Sequence, residues 1–411
     1  MNTASLRQLF RDTDFVRTGG SEEELRAAEI LEARCRALGV EARIESFPVP
    51  MGEIQEAQVL ADGEEIPCKG FFRCGSGCAE GELYYMPGQD PVSIAGAAGK
   101  IVLMDTQGIG RFTYRDLVKA GAKGILFQYG RLHDPNRDID QRELREHVRD
   151  GAEKLPCAMI HAAEAVALVK KGTHRVRILV RQREYEGRSR NVVARIPGET
   201  EEWILLSAHY DSTSLSHGAY DNMSGCAGLL GVMEALRNKP LRRGLCFVFC
   251  GSEERGLLGS KAFARDHEAE LEQVVLNVNL DMIGSVMGKF IACVSGEEGL
   301  KHYLRYLGAE LGFPLSPRTG VYSSDSTSFA DKGVPAVSLA RVATDKVAPI
   351  HCRHDDQRLL SMEQLKKDIV FISEFTRRMA QAAVCPVSRE MPEKIRKELD
   401  EYLGRRRKEQ G

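Results

Sequence analysis

The sequence has no run of roughly 18–20 uninterrupted apolar residues, so it offers no helix able to span a membrane. It also lacks an excess of either charge: 57 Lys and Arg stand against 59 Asp and Glu, a formal net charge of −2. A chain built mainly to hold nucleic acid or an anionic membrane surface needs a basic face, and both partner classes are set aside. Its 11 cysteines include no C-x2-C pair. That excludes a cysteine-ligated structural zinc even at the cluster Cys68, Cys74 and Cys78, and the thiols read as reduced. Tryptophan occurs once, at Trp203 inside a strand-like run. The opening "MNTASLRQLFRDTDF" lacks the apolar core of a secretory signal, from which a cytoplasmic location is expected.

What is present is the material of a folded enzyme-sized chain: 411 residues, 43% hydrophobic and 28% charged. Ser21 and Glu24 form an S-x-x-E capping box at the head of a helix that Gly39 stops. From 190 onward short apolar runs alternate with amphipathic stretches. "WILLSA", "GLCFVFC", "VVLNVNL" and "VPAVSLA" read as buried strands, and "SMEQLKKDIVFISEFTRRMAQAA" as a long final helix. That alternation predicts an α/β fold, a mostly parallel central sheet sandwiched by helices. Between 51 and 186 the texture changes to shorter strands and helices around a charged loop, and no long buried strand there ends on a carboxylate or histidine. We divide the chain into 1–50 with 187–385 as one discontinuous domain, 51–186 as an inserted module and 386–411 as a charged helical tail. The tail carries Met391, Ile395, Leu399 and Tyr402 at helical spacing, as a surface helix or an oligomer contact, and ends in the solvated "RRRK" of 405–408.

In an open α/β sheet, ligands gather at the carboxyl ends of the strands. Here those ends carry His209 with Asp211, then Glu253 and Glu254, then Asp281, then His351, His354 and Asp355. Asp221 opens the helix that follows the first of them. Each residue alone has a plain structural reading: Asp221 as a helix cap, a histidine as a satisfied surface group, the glutamate pair as solvated. Packing, however, gives no reason to place two histidines and at least three acids along one rim of one sheet.

The motifs "SAHYDS", "GAYDNMSG", "GSEERGLLGS", "NLDMIG", "SDSTSFADKGVPAVSL" and "IHCRHDD", in that order, closely resemble those of co-catalytic di-zinc aminopeptidases of the bacterial leucyl aminopeptidase and aminopeptidase Y type. That core is shared with glutamate carboxypeptidase. The segment "GKIVLMDTQGIGRFTYRDLVKAGAKGILFQ" resembles a protease-associated domain, so 51–186 is expected to be such an insertion, smaller and β-rich. The resemblance implies two Zn2+ ions, with cobalt or manganese also suited to these ligands. It makes His209 and Asp281 ligands of one ion, Glu254 and His351 ligands of the other, and Asp221 the bridge. Asp211 becomes the partner of the His209 ring, and Glu253 the general base. His351 is preferred to His354 because its spacing to Asp355 fits the family's H-T-x-x-D pattern. Two departures stand out: Cys352 where the family has Thr, and Ser326 where it has His after a retained Asp325. Tyr322 lies near the loop that carries an oxyanion donor in some relatives.

The implied activity is removal of amino-terminal residues from peptides by a metal-activated water. The substrates are peptides, with a homo-oligomer through the tail as the further partner. The alternatives are a carboxypeptidase, dipeptidase or glutaminyl cyclase on the same core and, in a different class, a metal-free binding or scaffold protein.

Overall fold

The computed structural model describes residues 2–407. They divide into two compact units: one holds the described residues up to Val49 together with Arg188–Arg406, the other Pro50–Gly187.

The first unit is built on a sheet, with Ala42–Ala61 pairing with Arg175–Ile196 beside its main path. Its order is Ser316–Thr319, Lys289–Ser295, Ala336–Val342, Val274–Leu280, Trp203–His209, Gly244–Cys250 and the last residues of Arg175–Ile196. The four strands from Ala336–Val342 to Gly244–Cys250 run parallel. Lys289–Ser295 and the end of Arg175–Ile196 pair antiparallel on the two sides of that group. The middle strands are apolar along nearly their whole length and buried throughout, as strands covered by helices on both faces must be. Each fully buried Leu, Val or Phe contributes about 1.5–3 kcal/mol.

One face is covered by the helices Ser224–Leu236 and Met362–Gln381. The first is buried almost all round because glycine lets it lie close. A Cβ on Gly228 would stand 2.7 Å from a Leu280 methyl and 2.8 Å from an Ile283 methyl. Three elements that the apolar pattern does not announce are also present: the helix Thr3–Asp12 and the strands Lys289–Ser295 and Ser316–Thr319.

The helix Glu393–Tyr402 has its apolar face covered within its own unit. Met391, Ile395 and Leu399 are buried with Ala330 and Ala336, and Val321 packs against them. Tyr402, the fourth residue of the expected stripe, is exposed. The end of the charged tail, 408–411, lies outside the described residues.

The second unit has its own sheet, in the order Arg175–Ile196 (its first part), Gly77–Tyr85, Ile101–Met104, Gly124–Tyr129, Cys157–His161 and Cys68–Gly70. The helices Arg111–Ala120 and Ala162–Lys171 accompany it. Among the described residues no helix of either unit is long and apolar enough to cross a membrane.

Candidate metal centre

Register sets the site. Gly244–Cys250 pairs with Trp203–His209 so that Cys250 lies beside His209. The chain that leaves Cys250 therefore emerges next to the His209 imidazole, and four residues later it has passed Glu253 and Glu254. On the other side of His209 runs Val274–Leu280, which delivers Asp281. Parallel strands all end at the same rim, and that is why residues far apart in sequence meet.

Asp221 stands at the centre. One of its oxygens is 3.1 Å from His209 Nε2 and the other is 3.1 Å from His351 Nε2. Asp281 Oδ1 lies 3.7 Å from His209 Nε2, and Glu254 Oε1 lies 2.9 Å from His351 Nε2. Two triads result, His209–Asp221–Asp281 and Asp221–Glu254–His351, each with its donor atoms close enough to share a cation. Glu253 Oε2 sits at the edge, 4.0 Å from His209 Nε2. His354 is exposed and outside the group.

The sequence reading places Asp221 at a helix start. Instead Asp221 and Asn222 are non-helical, joined by a cis peptide bond, and the helix begins at Ser224. What holds Asp221 is Asp355, whose carboxylate accepts the Tyr220 N–H at 2.8 Å, the Asp221 N–H at 3.2 Å and the Ser216 hydroxyl at 3.1 Å.

Asp211 is fully buried but stands 3.5 Å from His209 Nδ1, long for a hydrogen bond. Its stronger bonds go to the backbone: it accepts the Glu253 N–H at 2.9 Å and the Glu254 N–H at 3.1 Å. Asp211 therefore aims the glutamate pair as much as it faces the histidine. Ser252, Leu257, Met282 and His351 all have left-handed backbone, a concentration of unfavourable conformations typical of functional loops.

Two further residues carry the site without having been foreseen in that role. Arg17 is fully buried and donates to the carbonyls of Tyr210, His217 and Gly218, the last at 2.7 Å, and to those of Phe15 and Thr13. It thereby ties down the loop that leads to Asp221. Glu24 is the other; its carboxyl lies beneath the 251–254 turn rather than on the helix surface. A buried Arg or Glu inside an amphipathic segment reads as a solvated charge, and only long-range contacts reveal otherwise. Ser326, standing where the resemblance has His, is hydrogen-bonded to the Ser338 hydroxyl in the sheet at 2.7 Å.

The electrostatics follow from this crowding. Burial opposes a charge on His209, yet Glu253 and then Asp211, Asp221 and Asp281 outweigh it and push the ring well up. Burial opposes a charge on His351 too, and Glu254 and Asp221 push it well up. Burial raises Glu253 far above the usual carboxylate range, with repulsion from Glu254, Asp325 and Asp281 adding to it and His209 opposing. Asp221 is the exception: burial works against its charge, but the two imidazoles outweigh burial and hold it low.

A stability prediction arises here. Burial, then Asp211, hold Glu24 near about 7; burial, then Asp221, hold Asp355 at about 7 as well. Folding favours their protonated forms, so that stabilisation is complete below the unfolded pKa of about 4–4.5 and is lost as pH rises through about 7. His209 and His351 have the same sign, full below about 6.5 and lost at higher pH. Asp221, held low, acts only below about pH 4. In chelator the protein should therefore unfold at a temperature lower by on the order of several °C at pH 8 than at pH 5. Metal-loaded protein should show a smaller fall, because cations replace the protons on His209 and His351 while Glu24 and Asp355 keep their contribution. A flat chelator profile would contradict this account.

The donor set itself tests the fit to metal. Asp281 Oδ1 is buried with no hydrogen bond among the described residues. The two triads contribute three carboxylates and two imidazoles, the hard and borderline donors that divalent cations such as zinc take. The residues present fit a pair of such ions.

Residues 191–374 match the sequence profile of peptidase family M28, a stretch that contains every residue of both triads. Those residues belong to peptidase family M28. The chain that carries them is an enzyme, a metal-dependent exopeptidase. It is similar to aminopeptidase YwaD of Bacillus subtilis (strain 168), 26% identical over 378 residues that cover 85% of this chain and 78% of that one. In fold it is similar to an aminopeptidase from Aneurinibacillus sp. strain AM-1, with a TM-score of 0.74 at 23% identity, covering 94% of this chain and 96% of that chain. It is also similar to a zinc aminopeptidase from Bacillus subtilis, with a TM-score of 0.72 at 22% identity, covering 90% and 93%.

Proposed function

We propose that this chain is a di-zinc aminopeptidase. The observation that carries the reading is Asp221, with one carboxylate oxygen 3.1 Å from each of the two histidines. His209 and Asp281 would hold one ion, Glu254 and His351 the other, and Asp221 would contribute an oxygen to each. When bound, the ions supply Lewis-acid polarisation of the scissile carbonyl and the positive charge that makes water a nucleophile near neutral pH.

The rest is done by side chains. Glu253 takes a proton from the attacking water, whose oxygen adds to the peptide carbonyl carbon. The same carboxyl returns the proton to the departing nitrogen as the C–N bond breaks. The substrate's free α-amino group, a cation, is received among the acids of the cluster and fixes which carbonyl meets the water. Residues 51–186, read as a protease-associated insertion, supply no member of either triad.

The test is a pair of substrates on metal-analysed protein. Unblocked amino-acyl anilides or peptides should be cleaved and their N-acetylated counterparts should not, because the cap removes the charge and fills the space where the amine sits. Release of a carboxy-terminal residue from an N-acetylated peptide would overturn the reading in favour of a carboxypeptidase.

A further inference from the structure

The capping box at the head of the helix Glu22–Ala37 is only half formed. The Ser21 hydroxyl accepts the Glu24 N–H at 3.1 Å, as expected. The Glu24 carboxyl does not return to the Ser21 amide. One oxygen accepts the Gly20 N–H at 2.9 Å. The other accepts the Ser189 hydroxyl at 2.7 Å and the Ser252 hydroxyl at 3.1 Å, and the two hydroxyls lie 2.8 Å apart. The side chain is fully buried, and among the described residues no Lys or Arg pairs with it. Its neighbours on the same helix face are Ala27, Ala28 and Leu31. Burying a carboxyl here without a cation is costly, and an apolar residue would serve folding better.

The contact it makes supplies the reason. Ser252 is in the left-handed region, φ 54°, where a residue with a side chain is strained. It directly precedes Glu253 and Glu254. The packing leaves the turn no slack: a Cβ on Gly251 would stand 2.7 Å from Glu24 Oε1. Two buried carboxyls thus grip consecutive residues of one turn, Glu24 by the Ser252 side chain and Asp211 by the amides of Glu253 and Glu254. If Ser252 relaxed towards ordinary backbone, the two glutamates after it would swing away from the triads.

We propose that Glu24 is a positioning residue: through the Ser252 hydroxyl it holds the strained turn that points Glu253 and Glu254 at the metal centre. This rests on the roles given to those two glutamates above.

The experiment compares the metal-loaded parent with Glu24→Leu, which removes the acceptor of the Ser252 hydroxyl, with Ser252→Ala and with the double variant; Glu23→Gln, one residue away on the exposed side, is the control. Turnover and KM are read on an unblocked amino-acyl anilide, zinc affinity by competition with a chromophoric chelator, and stability by thermal unfolding. Each single variant should lower kcat roughly 10- to 100-fold, the cost of misplacing a reacting group by about an ångström. KM should barely move, and one of the two zinc ions should bind more weakly. The double variant should be no worse than the worse single variant, because both changes cut one link. A lower unfolding temperature with kcat and zinc affinity unchanged would make Glu24 merely structural and overturn the proposal, as would fully additive losses in the double variant. Should Glu24→Leu fail to fold, Ser252→Ala alone carries the same test. If the zinc-loaded parent cleaved no unblocked substrate, the aminopeptidase reading would fall, while the zinc arm would still decide whether Glu24 aims Glu254.

Discussion

Asp221→Ala is expected to abolish the binding of both metal ions and to lower activity roughly 10³-fold or more, the scale seen when one member of a mutually dependent set is removed. The reason is geometric. Each Asp221 oxygen serves one histidine at 3.1 Å. Without it, His209 keeps only Asp281 at 3.7 Å, and His351 keeps only Glu254 at 2.9 Å. Two protein donors per ion are too few for a stable zinc site, which usually has three or four. Glu254→Ala removes a donor from one triad only, so it should weaken one ion and leave the other near full occupancy. Elemental analysis after dialysis distinguishes the two variants, with circular dichroism confirming that each is folded. Asp221→Ala protein retaining two ions per chain would remove Asp221 from its bridging place.

Much of this site was legible because burial and chemistry disagree in the sequence. Trp203–His209, Gly244–Cys250 and Val274–Leu280 are apolar runs that end abruptly on acids or histidines, and a parallel sheet brings such ends to one rim. Other elements gave no such contrast. Ser316–Thr319 is polar and only half-buried, held at the edge of the sheet by backbone pairing with Lys289–Ser295, which side-chain patterning does not report. The turn at Asp221 was misread as a helix start because Asp before an apolar run is the ordinary signature of a cap. Its true anchor, Asp355, is 134 residues away. Arg17 and Glu24 were hidden for the same reason. A charged residue in a helical or loop segment defaults to solvent, and the contacts that bury these two lie roughly 200 residues along the chain. What sequence patterning lacks, then, is the layer of the site made by distant pairs.

Glu253→Gln should lower kcat by roughly 10²–10⁴-fold, the range for losing a general acid–base group, while both metal ions stay bound. The substitution keeps size and leaves the backbone intact, so Asp211 can still accept the amides of residues 253 and 254 at 2.9 and 3.1 Å and hold the turn. What disappears is basicity. Glu253 lies 4.0 Å from His209 Nε2, at the margin of one triad, whereas its neighbour Glu254 lies 2.9 Å from His351 Nε2, inside the other. Adjacent acids on one turn thus face different tasks, and the matched pair of variants separates them. Glu253→Gln should be slow and metal-replete, with KM close to that of the parent because the α-amino group is still received. Glu254→Gln should lose metal first and activity as a consequence, so that added zinc recovers part of its rate. The control is zinc supplied to Glu253→Gln, which should recover nothing. If instead Glu253→Gln were nearly as fast as the parent, and Glu254→Gln were inactive with its metal retained, the base would be Glu254 and the division of labour between the two would be reversed.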